Sequence, residues 1–371
     1  MVKLNLIKSA NSTLVQSKPL VAVFVGGTSG VGRNTIISLA ANHGKSGQGL
    51  RVYLIGRNSK AAEAIISECK SLCPSGQFLF IRAINLALLK EVDHVCEELV
   101  RMEEKEAGSK SGGARMDILV MTQAIFKPWD PRNGSFSLSS YHWKTLAKPN
   151  PRNKRGPRYL YITSLLFSHA VHNTSDASTL IFFFARTLFG PGRDTTLIED
   201  DLSLRSPQNY GFMSSGAHAA YLTTFYLEHL AAQHPGKLSL SHYFPGLILH
   251  EGFQDPTFPW WFKTIFKYLA PVLRLFPSTL SSEECGARTL FNVSPRFPAR
   301  EQGAKMDGEI GVAESSDGVI GGGAYRVNWN NEMVAIGKKY GRLRAEGWGE
   351  KIVNHTTEVF EAIEKGTAFT G

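Results

Sequence analysis

A chain of 371 residues with 43% hydrophobic content can close a sizeable core, which excludes a disordered or low-complexity protein. Its formal charge is +9, but Lys144, Lys148, Arg152, Lys154, Arg155 and Arg158 lie together with no acid between them and no aromatic platform among them. Such a run describes a solvated loop, and no nucleic-acid partner is expected. Cys69, Cys73, Cys96 and Cys285 are too scattered for a disulfide framework or a zinc site, so reduced thiols and no metal are expected.

The first 18 residues hold no apolar core of signal-peptide length, and a cytoplasmic protein is expected. The Asn-x-Ser/Thr matches at Asn11, Asn133, Asn173, Asn292 and Asn354 then read as chance. Leu20 to Val25 is a continuous apolar run of strand length, long enough to be covered on both faces. Gly26, Gly30 and Gly32 follow as G-x-x-x-G-x-G, and Ile36, Ile37, Leu39 and Ala40 then recur at helical spacing. Strand, tight turn and helix start bring unpaired N–H groups and the positive end of a helix dipole to one point, which suits a pyrophosphate.

Leu50 to Ile55 reads as a second strand, ending in Gly56-Arg57-Asn58. A residue just past this strand would meet the adenosine ribose of a dinucleotide. An acid there suits the 2′-hydroxyl of NAD, whereas Arg57 suits the 2′-phosphate of NADP. An ordinary exposed arginine is the plainer alternative. Ala61 to Leu72 is helical in pattern and stops at Pro74-Ser75-Gly76; Gln77 to Ile84 is a third strand; Leu86 to Met102 is amphipathic; Met116 to Thr122 is a fourth strand. This alternation predicts an α/β fold, a doubly wound parallel sheet of Rossmann type, with a C-terminal extension.

The chain resembles the short-chain dehydrogenase/reductase family over roughly residues 18 to 365, and in detail the divergent reductases of fungal secondary-metabolite clusters. The resemblance rests on the glycine turn, similar to the family's TGxxxGxG, and on Met121-Thr122-Gln123-Ala124, where the family has Asn-Asn-Ala-Gly. It rests also on Glu199-Asp200-Asp201-Leu202 and on His242-Tyr243-Phe244-Pro245-Gly246. It implies a single Rossmann domain that binds NADP through Gly26, Thr28, Ser29, Gly30, Val31 and Gly32 in the turn, and Arg57 and Asn58 after the second strand. Asn85, standing where the family usually has Asp, would lie near the adenine edge; Gln123 and Ala124 are further implied contacts; Pro245 and Gly246 would cover the nicotinamide. His250 stands near the position of a family threonine that meets the cofactor.

Carbonyl reduction also needs a proton donor, which the family takes from Tyr in Y-x-x-x-K beside a Ser on the fifth strand. Tyr210 is the candidate here, but Ser214 lies four residues on, and the other register puts Gly211 and Ser215 in the two places. No lysine occurs between Arg205 and Lys237, so the motif is incomplete. His218, two turns beyond Tyr210, shares its helical face and is a candidate to assist proton transfer, but the plainer reading, a helix-surface histidine with no catalytic role, is preferred. Thr179 to Ala185 is the fifth strand, with Phe182 and Phe183 where the family serine motif would fall. Residues 128 to 158, rich in Pro and Gly, read as an atypical insertion or as the product of an imperfect gene model, and only Tyr159 to His172 recovers helical spacing. Leu238 to Phe244 is the sixth strand.

Pro259 to Phe276 combines aromatics with Lys263, Lys267 and Arg274; Pro271 and the cations make it a poor membrane span. It reads as a lid over an apolar substrate pocket or as a helix lying on a membrane surface. Ser282 to Val293 is helical, Gly321-Gly322-Gly323 is a turn between strands, and Glu350 to Ile363 closes the chain as an amphipathic helix. The expected function is NADP-dependent oxidation or reduction of an apolar alcohol or carbonyl in secondary metabolism. The alternative is a redox-inactive cofactor-binding scaffold with a regulatory or cyclase-like role.

Overall fold

Strand β1 (Leu20–Val25) is buried along its whole length because helices cover both faces of the sheet around it. The computed structural model describes residues 1–44, 46–84, 86, 89–107, 114–122, 178–183, 197–206, 208–209, 212–248, 260–273, 275–301 and 311–365. Within them β2 (Leu50–Gly56), β3 (Gln77–Arg82), β4 (Ile118–Met121), β5 (Ser178–Phe183), β6 (Leu238–Tyr243) and β9 (Ala324–Val327) join β1 in a seven-stranded sheet. Its order is β3-β2-β1-β4-β5-β6-β9, and every pairing is parallel. This is the doubly wound α/β fold expected from the alternating pattern. The order reverses between β1 and β4, where such sheets leave a crevice at their C-terminal edge.

Alternation along β1 divides the core. Val21, Val23 and Val25 pack with Tyr53 and Ile55 against α4 (Leu89–Ala107) and α5 (Phe212–Gln233) on one face. Leu20, Ala22 and Phe24 pack with Val52 and Leu54 on the other, against α2 (Gly30–His43), α3 (Ser59–Leu72) and α7 (Ser282–Leu290). Gly286 lets α7 lie against α2, since a Cβ there would stand 2.3 Å from the Asn34 carbonyl oxygen.

Residues 4–17 form helix α1 (Leu4–Ser17), which the sequence reading did not anticipate. Ile7 and Val15 are buried, and the Asn11 amide donates to the Ala287 carbonyl at 2.9 Å. Asn292 is buried too, with its amide donating to the carbonyls of Arg288 and Thr289, so neither sequon asparagine presents its side chain to solvent. All four cysteines are free and buried, and burial pushes Cys69, Cys96 and Cys285 up to about 12, which keeps those thiols protonated.

The C-terminal part enters the sheet through β9, preceded by the predicted glycine turn, in which Gly321 and Gly323 have positive φ. Helices α8 (Lys338–Ala345) and α9 (Trp348–Glu364) follow; Tyr340, Leu343, Trp348 and Ile352 pack on Tyr221, Leu222 and Phe225 of α5. Glu228 of α5 accepts from the Arg344 guanidinium at 2.5 and 3.1 Å and from the Ser316 hydroxyl at 2.6 Å, tying these elements together. Short strands β7 (Leu247–Ile248) and β8 (Thr279–Leu280) pair in parallel, so the chain that leaves β6 and carries α6 (Trp260–Leu273) returns to the place it left. The 128–158 stretch and the helix expected over 159–172 lie outside the described residues.

Candidate functional site

The turn after β1 is shaped by contacts that exclude side chains. Gly26 and Gly30 have φ of 88° and 54°, a region that disfavours L side chains. A Cβ on Gly32 would stand 2.8 Å from the Gly26 carbonyl oxygen, 2.8 Å from Thr122 Oγ1 and 3.0 Å from Gly27 Cα. The turn is therefore folded onto the first coil of α2 as tightly as backbone allows. Ser29, the N-cap of α2, makes no side-chain cap hydrogen bond, which leaves that helix end without its own side-chain acceptor.

Neighbouring strands deliver their ends to the same edge. Val25 is level with Ile55 and Met121, and the Gly26 N–H donates to the Ile55 carbonyl at 2.9 Å. Gly56 meets Thr28, whose Cγ2 would be 2.8 Å from a Cβ on Gly56, and exposed Arg57 comes next. Thr122 Oγ1 donates to the Gly26 carbonyl at 3.0 Å and pins the turn from the far side of the crevice. Thr122 was visible in the sequence only as part of the Met121–Ala124 match, and its contact with the turn depends on β4 lying beside β1.

Pro245 and Gly246 end β6 at the same edge, beyond β4 and β5. Gly246 has φ 76°, and a Cβ there would stand 2.4 Å from the Ser278 carbonyl oxygen and 3.1 Å from Trp329 Cβ. Val31, in the first turn of α2, packs against the cluster of Ile248, Leu280 and Cys285, on which Trp329 also packs. The base of the α6 segment is thus fastened to the glycine turn. Neither Cys285 nor Trp329 carries a motif that could have announced this.

Asn58, expected among the cofactor contacts, is the N-cap of α3. Its Oδ1 caps α3 by accepting from the Ala61 N–H at 3.1 Å, an ordinary use of asparagine at a helix start. Asn85, Gln123, Ala124, Tyr210 and His250 lie outside the described residues.

The residues in front of α5 form a second polar organisation. Asp201 accepts from the N–H groups of Arg205 at 2.7 Å and Ser206 at 2.9 Å, and from the Asn209 amide at 3.0 Å. Burial alone would raise its pKa, but these donors and His218 outweigh it and hold the carboxyl below its usual value. Ser214, in the first turn of α5, donates to the Asn209 carbonyl at 2.7 Å.

His218 is fully buried, correcting the expectation of a surface histidine. Its Nε2 accepts from the Ile198 N–H at 2.9 Å, which leaves the proton on Nδ1 to be donated to the Leu202 carbonyl at 3.2 Å. Burial lowers its pKa to about 4, with the Leu202 bond and Asp201 pulling the other way. His355 of α9 lies 3.2 Å from the Ser203 hydroxyl and is also lowered to about 4, by burial first and then by Arg205 and His218. These imidazoles are neutral, structural groups near pH 7.

No family model matches the chain. It is 28% identical to the short-chain dehydrogenase/reductase SAT2 of Stachybotrys chartarum, covering 99% of each protein. It is likewise 28% identical to oxidoreductase AN1596 of Emericella nidulans, covering 97% of this chain and 98% of that protein. Among solved structures, L-sorbose reductase from Gluconobacter frateurii, complexed with NADPH and L-sorbose, is similar in fold. Its TM-score is 0.50 at 15% identity, over 85% of this chain and 97% of that one. With its seven parallel strands and a likeness to fungal oxidoreductases along its whole length, the chain is similar to the short-chain dehydrogenases/reductases in sequence and in fold.

Proposed function

We propose that this protein is an NADP-dependent oxidoreductase that interconverts an apolar carbonyl and its alcohol in the synthesis of a secondary metabolite. The observation that carries the reading is the open N-terminus of α2 behind Gly26, Gly30 and Gly32, with exposed Arg57 at the end of the adjacent strand. Among the described residues Arg57 enters no ion pair, so its guanidinium is available to a phosphate. The residues fit a dinucleotide on two counts: an uncapped helix end for the diphosphate, and a turn that no side chain obstructs.

In this reading Gly26, Thr28, Ser29, Gly30, Val31 and Gly32 cradle the diphosphate, Arg57 selects the 2′-phosphate, and Pro245-Gly246 lies toward the nicotinamide end. A bound nicotinamide supplies or accepts the hydride. Tyr210 gives the carbonyl oxygen its proton; in sequence it falls between Asn209 and Ser214, the two residues joined by the hydroxyl-to-carbonyl bond. The apolar substrate is inferred from the aromatic-rich α6 segment that begins and ends beside the crevice.

The test is NADPH oxidation by purified protein with a panel of aromatic and decalin-type ketones, beside Arg57→Ala and Tyr210→Phe. Arg57→Ala is expected to cut the preference for NADPH over NADH by about 10- to 100-fold, the worth of one charge-assisted phosphate contact. Tyr210→Phe should abolish turnover and leave nucleotide affinity intact. Tight NADPH binding with no turnover on any ketone, unchanged in Tyr210→Phe, overturns the catalytic reading.

A further inference from the structure

Helix α6 presents large apolar side chains to solvent. Trp260 is 77% exposed, Tyr268 74%, Ile265 56% and Val272 50%, and just beyond the helix Leu275 is 81% exposed. At about 100° per residue, Trp260, Trp261, Ile265, Tyr268, Leu269 and Val272 fall within one half of the circumference. Lys263 and Lys267 fall beside that half, on the side of Trp260. No acid occurs from residue 256 to residue 282, whereas Lys263, Lys267 and Arg274 are all cationic.

The helix has 14 residues, about 21 Å of rise. A bilayer core is about 30 Å thick. No helix among the described residues is long and apolar enough to cross a membrane. An apolar, aromatic face with flanking lysines and no acid is instead suited to lying in the headgroup region, the rings at the boundary and the ammonium groups among lipid phosphates.

We infer that α6 is an interfacial helix that docks the protein on an anionic lipid surface. Charge selects this occupant. Two copies meeting through this face would bring cationic flanks together with no acid on either helix to pair them, whereas an anionic bilayer supplies counter-charge and an apolar boundary at once. Pairing of β7 with β8 brings the two ends of the segment together, and the apolar face of α6 is already exposed, so covering it takes no side chain out of the core. The inference stands on this surface alone and holds whichever nucleotide or substrate the protein takes.

The experiment is flotation of the full chain with vesicles of phosphatidylcholine and with vesicles of equal parts phosphatidylcholine and phosphatidylserine. Flotation is expected with the anionic vesicles. Trp260→Ser with Trp261→Ser should weaken it by about tenfold or more, and Lys263→Gln with Lys267→Gln by about twentyfold at low salt. Both pairs should keep the wild-type melting temperature and NADPH affinity. Failure of the wild type to float overturns the inference, as does flotation indifferent to the tryptophan pair. Concentration-dependent self-association abolished by that pair, without vesicle binding, makes the face a contact between copies and overturns the lipid reading.

Discussion

The turn after β1 and the loop that enters α5 both belong to the C-terminal edge of the sheet, yet they are held by opposite means. The first is fixed by the absence of side chains: Gly26 and Gly30 adopt positive φ, and Gly32 is closed in by the Gly26 carbonyl and Thr122. The second is fixed by side chains that replace missing backbone partners: Asp201 gathers three N–H donors, and His218 takes one N–H and satisfies one carbonyl. A steric turn is rigid at any pH. A turn built on an ionised carboxylate and a neutral imidazole is rigid only while those states persist.

Gly32→Val strikes the steric turn hardest. The added carbons have no room, so the α2 N-terminus must shift, at about 1–3 kcal/mol of stability. NADPH affinity should fall by about 100-fold, equivalent to roughly 3 kcal/mol of phosphate contacts. Fluorescence titration together with a thermal melt measures both; unchanged affinity would remove the turn from the nucleotide site.

Asp201→Ala strikes the other region. It strands two backbone donors and an amide, for roughly 2–4 kcal/mol of stability, and Asp201→Asn, which keeps one acceptor oxygen, should cost less. NADPH affinity is expected to stay within about twofold while ketone-dependent turnover falls. Equal loss of affinity and turnover would show that the two regions are one mechanical unit.

The pH dependence separates them further. His218 and His355 are held to about 4 when folded, below the ordinary 6.5. Between those values the unfolded chain takes up protons that the native state refuses, so stability falls as pH falls from about 6.5 to about 4. Below that window both states are protonated, and these groups contribute no further loss. His218 accounts for on the order of 3 kcal/mol of the decline. Melts across this window should show a shallower fall in His218→Gln, whose side-chain oxygen can still accept from Ile198.

The smallest effect is expected from Thr122→Val, which keeps the shape but removes the bond to the Gly26 carbonyl. About 1 kcal/mol of stability should be lost. A larger loss in nucleotide affinity than in stability would show that the turn relies on β4 more than on its own glycines.

Some of the site was legible because its cause is local. A six-residue apolar run can only be a covered strand here, glycine at three spacings marks backbone that must approach something closely, and Arg57 follows directly from where β2 ends. The cap that Asn58 makes to the Ala61 N–H was not read in the sequence, because the same side chain at a strand end can serve a ribose or a helix start. His218 was misread because helical spacing fixes which residues share a face of α5 and says nothing about what covers that face.

Sequence by itself determined the alternating strands and helices, the direction of the sheet and the glycine turn, since each follows from neighbours a few residues apart through sterics and burial. Tertiary structure alone decided that α1 packs beside α7, that Thr122 closes on the glycine turn and Trp329 on Gly246, that β9 completes the sheet, and that Asp201 and His218 fasten the entry to α5. Those contacts join residues up to hundreds of positions apart. Their free energy comes from groups that meet only after the layers have formed, so no window of the sequence contains it.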